Sequence, residues 1–103
     1  MPSRRERLEA MLAAEPHDQF LRYSLAMELD KEDQHERSLE LLRGLAADDT
    51  PYVPAFFMAG QQLARLSRTD EARAVVTAGV AAARRQGNAH AEGEMNEFLA
   101  GLG

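Results

Sequence analysis

The sequence has no cysteine. Disulfides, thiolate metal sites and thiol nucleophiles are therefore all excluded. Long apolar runs are missing too. The basic opening Met1-Pro2-Ser3-Arg4-Arg5-Glu6-Arg7 leads only to Leu8-Glu9-Ala10-Met11-Leu12, which Glu9 interrupts and Glu15-Pro16 ends. A secretory leader needs an apolar stretch of about 7–15 residues at that point, and a membrane-spanning helix needs about 20. A cytoplasmic location without a membrane partner is the expectation.

Lysine is also scarce, Lys31 being the only one, and the 17 acidic residues outnumber the 12 basic ones for a formal net charge of −5. Phosphate binding depends on clustered Lys and Arg that release counterions. Nucleic acid is accordingly not an expected partner. Arg4, Arg5 and Arg7 form a small cluster, but Glu6 and Glu9 dilute it into a solvated helix face.

Motifs for chemistry are absent as well. There is no Gly-x-Ser-x-Gly, no Gly-x4-Gly-Lys, and no histidine set near a nucleophile. His17, His35 and His90 fall at helix edges or in turns. In the cluster His90, Glu92 and Glu94, at least one member points to another face. The carboxylates Glu28, Asp30, Glu32, Asp33, Glu36 and Glu40 surround one turn without the ligand order of a calcium loop. No cofactor, metal or enzymatic activity is expected.

What the chain does have is 45% hydrophobic residues in 103, enough for one small domain. A domain of this size buries only about two-thirds of its unfolded surface, so stacking of repeats or a partner has to add stability. Breaks at Glu15-Pro16, Lys31 to Gln34, Asp48 to Pro51, Ser67 to Asp70 and Gly87-Asn88 leave segments of helix length. No stretch alternates with period two, so six helices and no sheet are predicted.

Ser3 with Glu6 reads as a capping box and Asp33 with Glu36 as an acidic version of one, while Thr69 or Asp70 can cap the fifth helix. Pro54 suits a first turn and Gly87 a left-handed helix end. Apolar stripes at helical spacing mark the core. They comprise Phe20, Leu21, Leu25, Ala26 and Leu29; Leu39, Leu41, Leu42 and Leu45; Ala72, Val75, Val76, Gly79, Val80 and Ala83; and Ala91, Met95, Phe98, Leu99 and Leu102.

A shift of 34 residues superposes the second and third helices on the fourth and fifth. Leu25-Ala26 falls on Ala59-Gly60, Leu29 on Leu63, Ser38 on Ala72 and Leu42 on Val76; backward, Leu8 falls on Leu42 and Met11 on Leu45. Phe56-x2-Ala59-Gly60-x2-Leu63 followed by Ala72-x3-Val76 resembles the tetratricopeptide repeat, whose pattern is W-x2-L-G-x2-Y, then A-x3-F, then P. Gly60 and Ala72 are small where two helices approach closely. The preceding copy, Arg22-x2-Leu25-Ala26-x2-Leu29 then Ser38-x3-Leu42, departs from the pattern at Arg22, where Phe20 or Tyr23 can fill the space of the missing tryptophan.

The resemblance implies an all-α, right-handed stack of helical hairpins. Its parts are an N-terminal half-repeat helix over 3–14, repeats over 17–49 and 51–86, and a capping helix over 89–101, in which Glu94 and Glu97 replace the pattern's small and apolar residues. It also implies a non-catalytic protein-interaction module that holds a peptide or amphipathic helix in a groove lined by the first helix of each pair. By register that groove consists of Phe20, Tyr23, Met27, Lys31, Pro54, Phe57, Gln61 and Arg65. Alternatively the N-terminal helix folds across Phe20 and Phe57 and closes the groove. The family's clamp for C-terminal carboxylates needs Lys, Arg and Asn where this chain has Tyr23, Met27 and Met58, so an apolar segment is the expected ligand. A structural homodimer burying the same groove is the alternative function. A helical regulator contacting nucleic acid through Arg4, Arg5 and Arg7 is a weaker one.

Overall fold

The computed structural model describes all 103 residues. They form six helices and no strand: α1 (Arg4–Ala14), α2 (Gln19–Lys31), α3 (His35–Ala46), α4 (Val53–Arg65), α5 (Thr69–Arg85) and α6 (Ala89–Gly101). None is long and apolar enough to cross a membrane.

The starts of α1 and α4 follow the sequence reading, while the side-chain caps of α2 and α6 are seen only in the structure. The Glu6 N–H donates to Ser3 Oγ at 3.1 Å and the Ser3 N–H to Glu6 Oε1 at 3.0 Å, completing the capping box of α1. Asp18 accepts from the Leu21 N–H at 2.8 Å and caps α2, Asn88 does the same for α6, and Pro54 lies in the first turn of α4.

Two starts differ from the expectation, for one shared reason. Asp33 does not cap α3 but sits at φ 61°, and the helix begins after Gln34 without a side-chain cap. The Gln34 N–H donates back to the Leu29 carbonyl at 2.9 Å, a helix-ending turn that requires a left-handed residue at position 33. One period later the Arg68 N–H donates to the Leu63 carbonyl at 2.8 Å and Ser67 sits at φ 61°. Thr69 and Asp70 are therefore already inside α5 and cap nothing. Gly87, at φ 71°, closes α5 in the same way and does so without strain.

Each helix packs on the next in sequence, and α4 also touches α6. The core is accordingly a row of clusters. Leu8 of α1 joins Leu21, Leu25 and Leu29 of α2; Leu39, Leu42 and Leu45 of α3 join Ala55, Ala59 and Leu63 of α4; and Phe56 and Val76 join Met95 of α6. This nearest-neighbour arrangement is that of a helical-repeat stack.

Close approach occurs where the small residues repeat. A Cβ on Gly60 would overlap the Val76 side chain, so α4 and α5 can meet there only through glycine. One period earlier, at the same junction, the Ser38 hydroxyl donates to the Ala26 carbonyl at 2.6 Å, and Gln62 Nε2 of α4 donates to Ser38 Oγ at 3.0 Å. A single hydroxyl thus ties α2, α3 and α4 together.

Two apolar assignments are corrected. Met11 is 52% exposed whereas Leu45, its counterpart, is fully buried, because α1 packs on α2 and no helix covers its other side. Phe20 is 66% exposed and off the core stripe, since one residue's advance rotates a helix by about 100° and Leu21 takes the buried place. Nor does Phe20 fill the corner left by the absent tryptophan. Arg22 closes it by pairing with Asp48, while Tyr23 packs on Tyr52.

Candidate functional site

Because helices stack in sequence order, α2, α4 and α6 lie along one side of the molecule and α1, α3 and α5 along the other. A cleft of about 260 Å³ opens on the first side. Tyr23 of α2 forms one wall, Val53, Pro54, Phe57, Met58 and Gln61 of α4 form the floor, and Asn88, His90, Ala91, Glu94 and Met95 of α6 form the far wall.

The aromatic side chains of the cleft are held by packing against neighbouring rings. Tyr23 lies against Tyr52 with ring centroids 5.3 Å apart and a 58° tilt. Burial, with Tyr52 second, pushes its hydroxyl above the ordinary tyrosine pKa. Phe57 meets Phe98 of α6 edge to face, at 5.6 Å and 73°. Aromatic pairs in this geometry are favourable beyond their buried area and fix the ring planes.

Four of the eight residues expected in the groove come together here: Tyr23, Pro54, Phe57 and Gln61. The other four do not line the cleft. Phe20 projects into solvent from the first turn of α2, and Met27 is half-buried outside it. Lys31 turns to Glu28, 3.2 Å away, and Arg65 to Asp30 at 2.8 Å, because these carboxylates neutralise the cations nearby. The N-terminal helix does not close the groove either, for no residue of α1 lines it and Phe57 is covered by Phe98 instead.

The wall from α6 is what the sequence reading missed. Its signal was available: one more shift of 34 residues carries Pro54, Phe57 and Gln61 onto Asn88, Ala91 and Met95. It was obscured because Glu94 and Glu97 break the repeat pattern and recast the helix as a solvated cap. In the structure α6 covers α5 with Met95 and also completes the cleft. His90 Nε2 lies 3.3 Å from Glu94 Oε1, whereas Glu92 turns away to Arg84 at 2.7 Å. No three His, Asp or Glu side chains gather closely enough to hold a metal ion. The lining presents aromatic and thioether surface, two amides, one imidazole and one carboxylate.

No protein-family model matches the chain, and no curated protein does. Solved structures do match. The tetratricopeptide repeat domain protein of Salinibacter ruber, in its solution form, is 33% identical with a TM-score of 0.79, over 84% of this chain and 88% of that one. Its crystal form is 34% identical with a TM-score of 0.72, over 81% and 93%. The solution structure of a Bordetella parapertussis protein is 31% identical with a TM-score of 0.81, over 99% and 89%.

Proposed function

We propose that this chain, which belongs to the tetratricopeptide-repeat family, is a non-catalytic interaction module holding a segment of another protein in the cleft between α2, α4 and α6. The fold generally serves protein–protein interaction. The observation that carries the reading is the convergence of Tyr23, Pro54, Phe57 and Met58 on one open cleft. Aromatic and methionine side chains presented together are typical of contact surfaces, where a few of them supply most of the binding energy.

The size of the cleft bears on what enters it. Sites for small molecules run to roughly 300–1,000 Å³ and enclose most of the ligand. At about 260 Å³ and open on one side, this one suits a single large side chain anchoring a longer segment that runs on across the surface. The segment can be extended or helical.

Recovery of partners on the tagged chain, compared with its Tyr23→Ala and Phe57→Ser variants, tests the reading. A partner lost with both substitutions, while circular dichroism reports both variants folded, supports the cleft. Retention by both moves the site to another face. Sedimentation at micromolar concentration separates the second occupant, a further copy of this chain: a dimer dissociated by Phe57→Ser would assign the cleft to self-association.

A further inference from the structure

We infer that the segment held in the cleft is basic: it seats a bulky apolar side chain between Tyr23, Phe57 and Met58 and sets a lysine or arginine beside it against Glu94. The inference rests on the groove reading above and adds the chemistry of the partner.

The argument is one of charge left unmatched. On the α2 and α4 sides the cations are already spent. Lys31 pairs with Glu28, and Arg65 with Asp30, whose other oxygen meets His35 at 2.8 Å. Glu94 differs. It is the one carboxylate among the residues lining the cleft, no lysine or arginine lines it, and the side chain is half exposed. Its single ionic neighbour is His90, charged only when protonated. A carboxylate at the edge of an apolar anchor site favours a cation on the incoming segment and repels an acidic one. The net charge of −5 adds a long-range attraction of the same sign. Because the anchor site and Glu94 share one small cleft, the cation stands one or two residues from the anchor in an extended segment, or three or four away on a helix.

Selection of random twelve-residue peptides displayed on phage, carried out on the intact chain and on Glu94→Gln, Glu94→Lys and Tyr23→Ala, tests this. The native chain is expected to enrich sequences with a bulky apolar residue and a nearby Lys or Arg. Glu94→Lys is expected to exchange that cation for Asp or Glu while keeping the apolar residue. For a selected peptide made synthetically, Glu94→Gln should weaken binding about three- to fivefold, as for a partly exposed ion pair, and flatten its dependence on salt. Enrichment that depends on Tyr23 but favours acidic or uncharged peptides, or that Glu94→Lys leaves unchanged, overturns the basic partner and spares the groove. No enrichment dependent on Tyr23 overturns both.

Discussion

The Arg22 guanidinium passes over α3 at Gly44 and closes on Asp48 with two hydrogen bonds of 2.7 and 3.2 Å. Nη2 lies 3.3 Å from where a Cβ on Gly44 would stand. Gln19 Nε2 adds a third bond to the same carboxylate at 2.9 Å and a fourth to the Thr50 carbonyl at 2.8 Å. Where the repeat pattern has tryptophan, this chain thus uses an ion pair to fasten the loop after α3 onto α2. Over the corresponding stretch one period later α5 simply continues as helix; after α3, Pro51 and the polar run before it prevent that.

The Arg22 hydrogen bonds first, then that of Gln19, hold the Asp48 carboxyl below its ordinary value of 3.8. A depressed native pKa means that the stabilisation is present above the unfolded value and is lost as pH falls toward the native one. Stability should therefore decline as pH drops below about 3.8, more steeply than in Asp48→Asn, the difference being about 1 kcal/mol for a partly exposed pair. Urea titrations of both proteins between pH 5 and about 2 measure it; parallel curves would show that the pair contributes nothing.

Gly60→Ala should destabilise the protein by about 1–3 kcal/mol, since the new methyl overlaps Val76 on α5 and the two helices must part. Val76→Ala alone also costs stability by leaving a void. Combined, the two substitutions should cost less than their sum by about 1 kcal/mol, a coupling that a double-mutant cycle by chemical denaturation resolves. Strict additivity would place the obstruction elsewhere.

At the three-helix junction Gln62 Oε1 is buried with no partner, while Gln62 Nε2 and Ser38 Oγ are bonded. Ser38→Ala leaves the whole Gln62 amide unmatched and should cost about 1–2 kcal/mol. Gln62→Met removes the orphan acceptor at nearly equal volume and leaves the Ser38 to Ala26 bond intact. It should be neutral or stabilising by up to about 1 kcal/mol. Thermal unfolding of the two variants should move in opposite directions, or at least differ by several degrees.

Ser67 and Asp33 hold left-handed backbone at the same point of each repeat. Ser67→Gly removes the steric cost of a Cβ there, and this outweighs the extra freedom of glycine in the unfolded chain. Stability should rise by about 0.5–1 kcal/mol, read as a higher urea midpoint with an unchanged slope. A lower midpoint would mean that the Ser67 side chain contributes more than its strain costs.

Much of the scaffold could be read from local pattern. The helix count, the period, the Ser3 capping box and the small residue at Gly60 all depend on neighbours three or four residues apart or on one fixed shift. Asp33, Thr69 and Asp70 went astray because helix ends are decided by competition: a side-chain cap and a backbone turn contend for the same few residues, and at α2 and α4 the backbone turn prevails.

The candidate site divides along the same line. The order and period of the residues were enough to align Tyr23, Pro54, Phe57 and Gln61 on successive first helices, because 34 residues return the chain to the same face of the stack. Which groups remain free at that face depended on pairings across 3 to 41 residues. Lys31 and Arg65 were withdrawn by Glu28 and Asp30, Phe57 was given a ring to lean on, and α6 brought Glu94 to the edge of the cleft. Periodicity determines where a side chain points; only the tertiary structure decides what has already met it there.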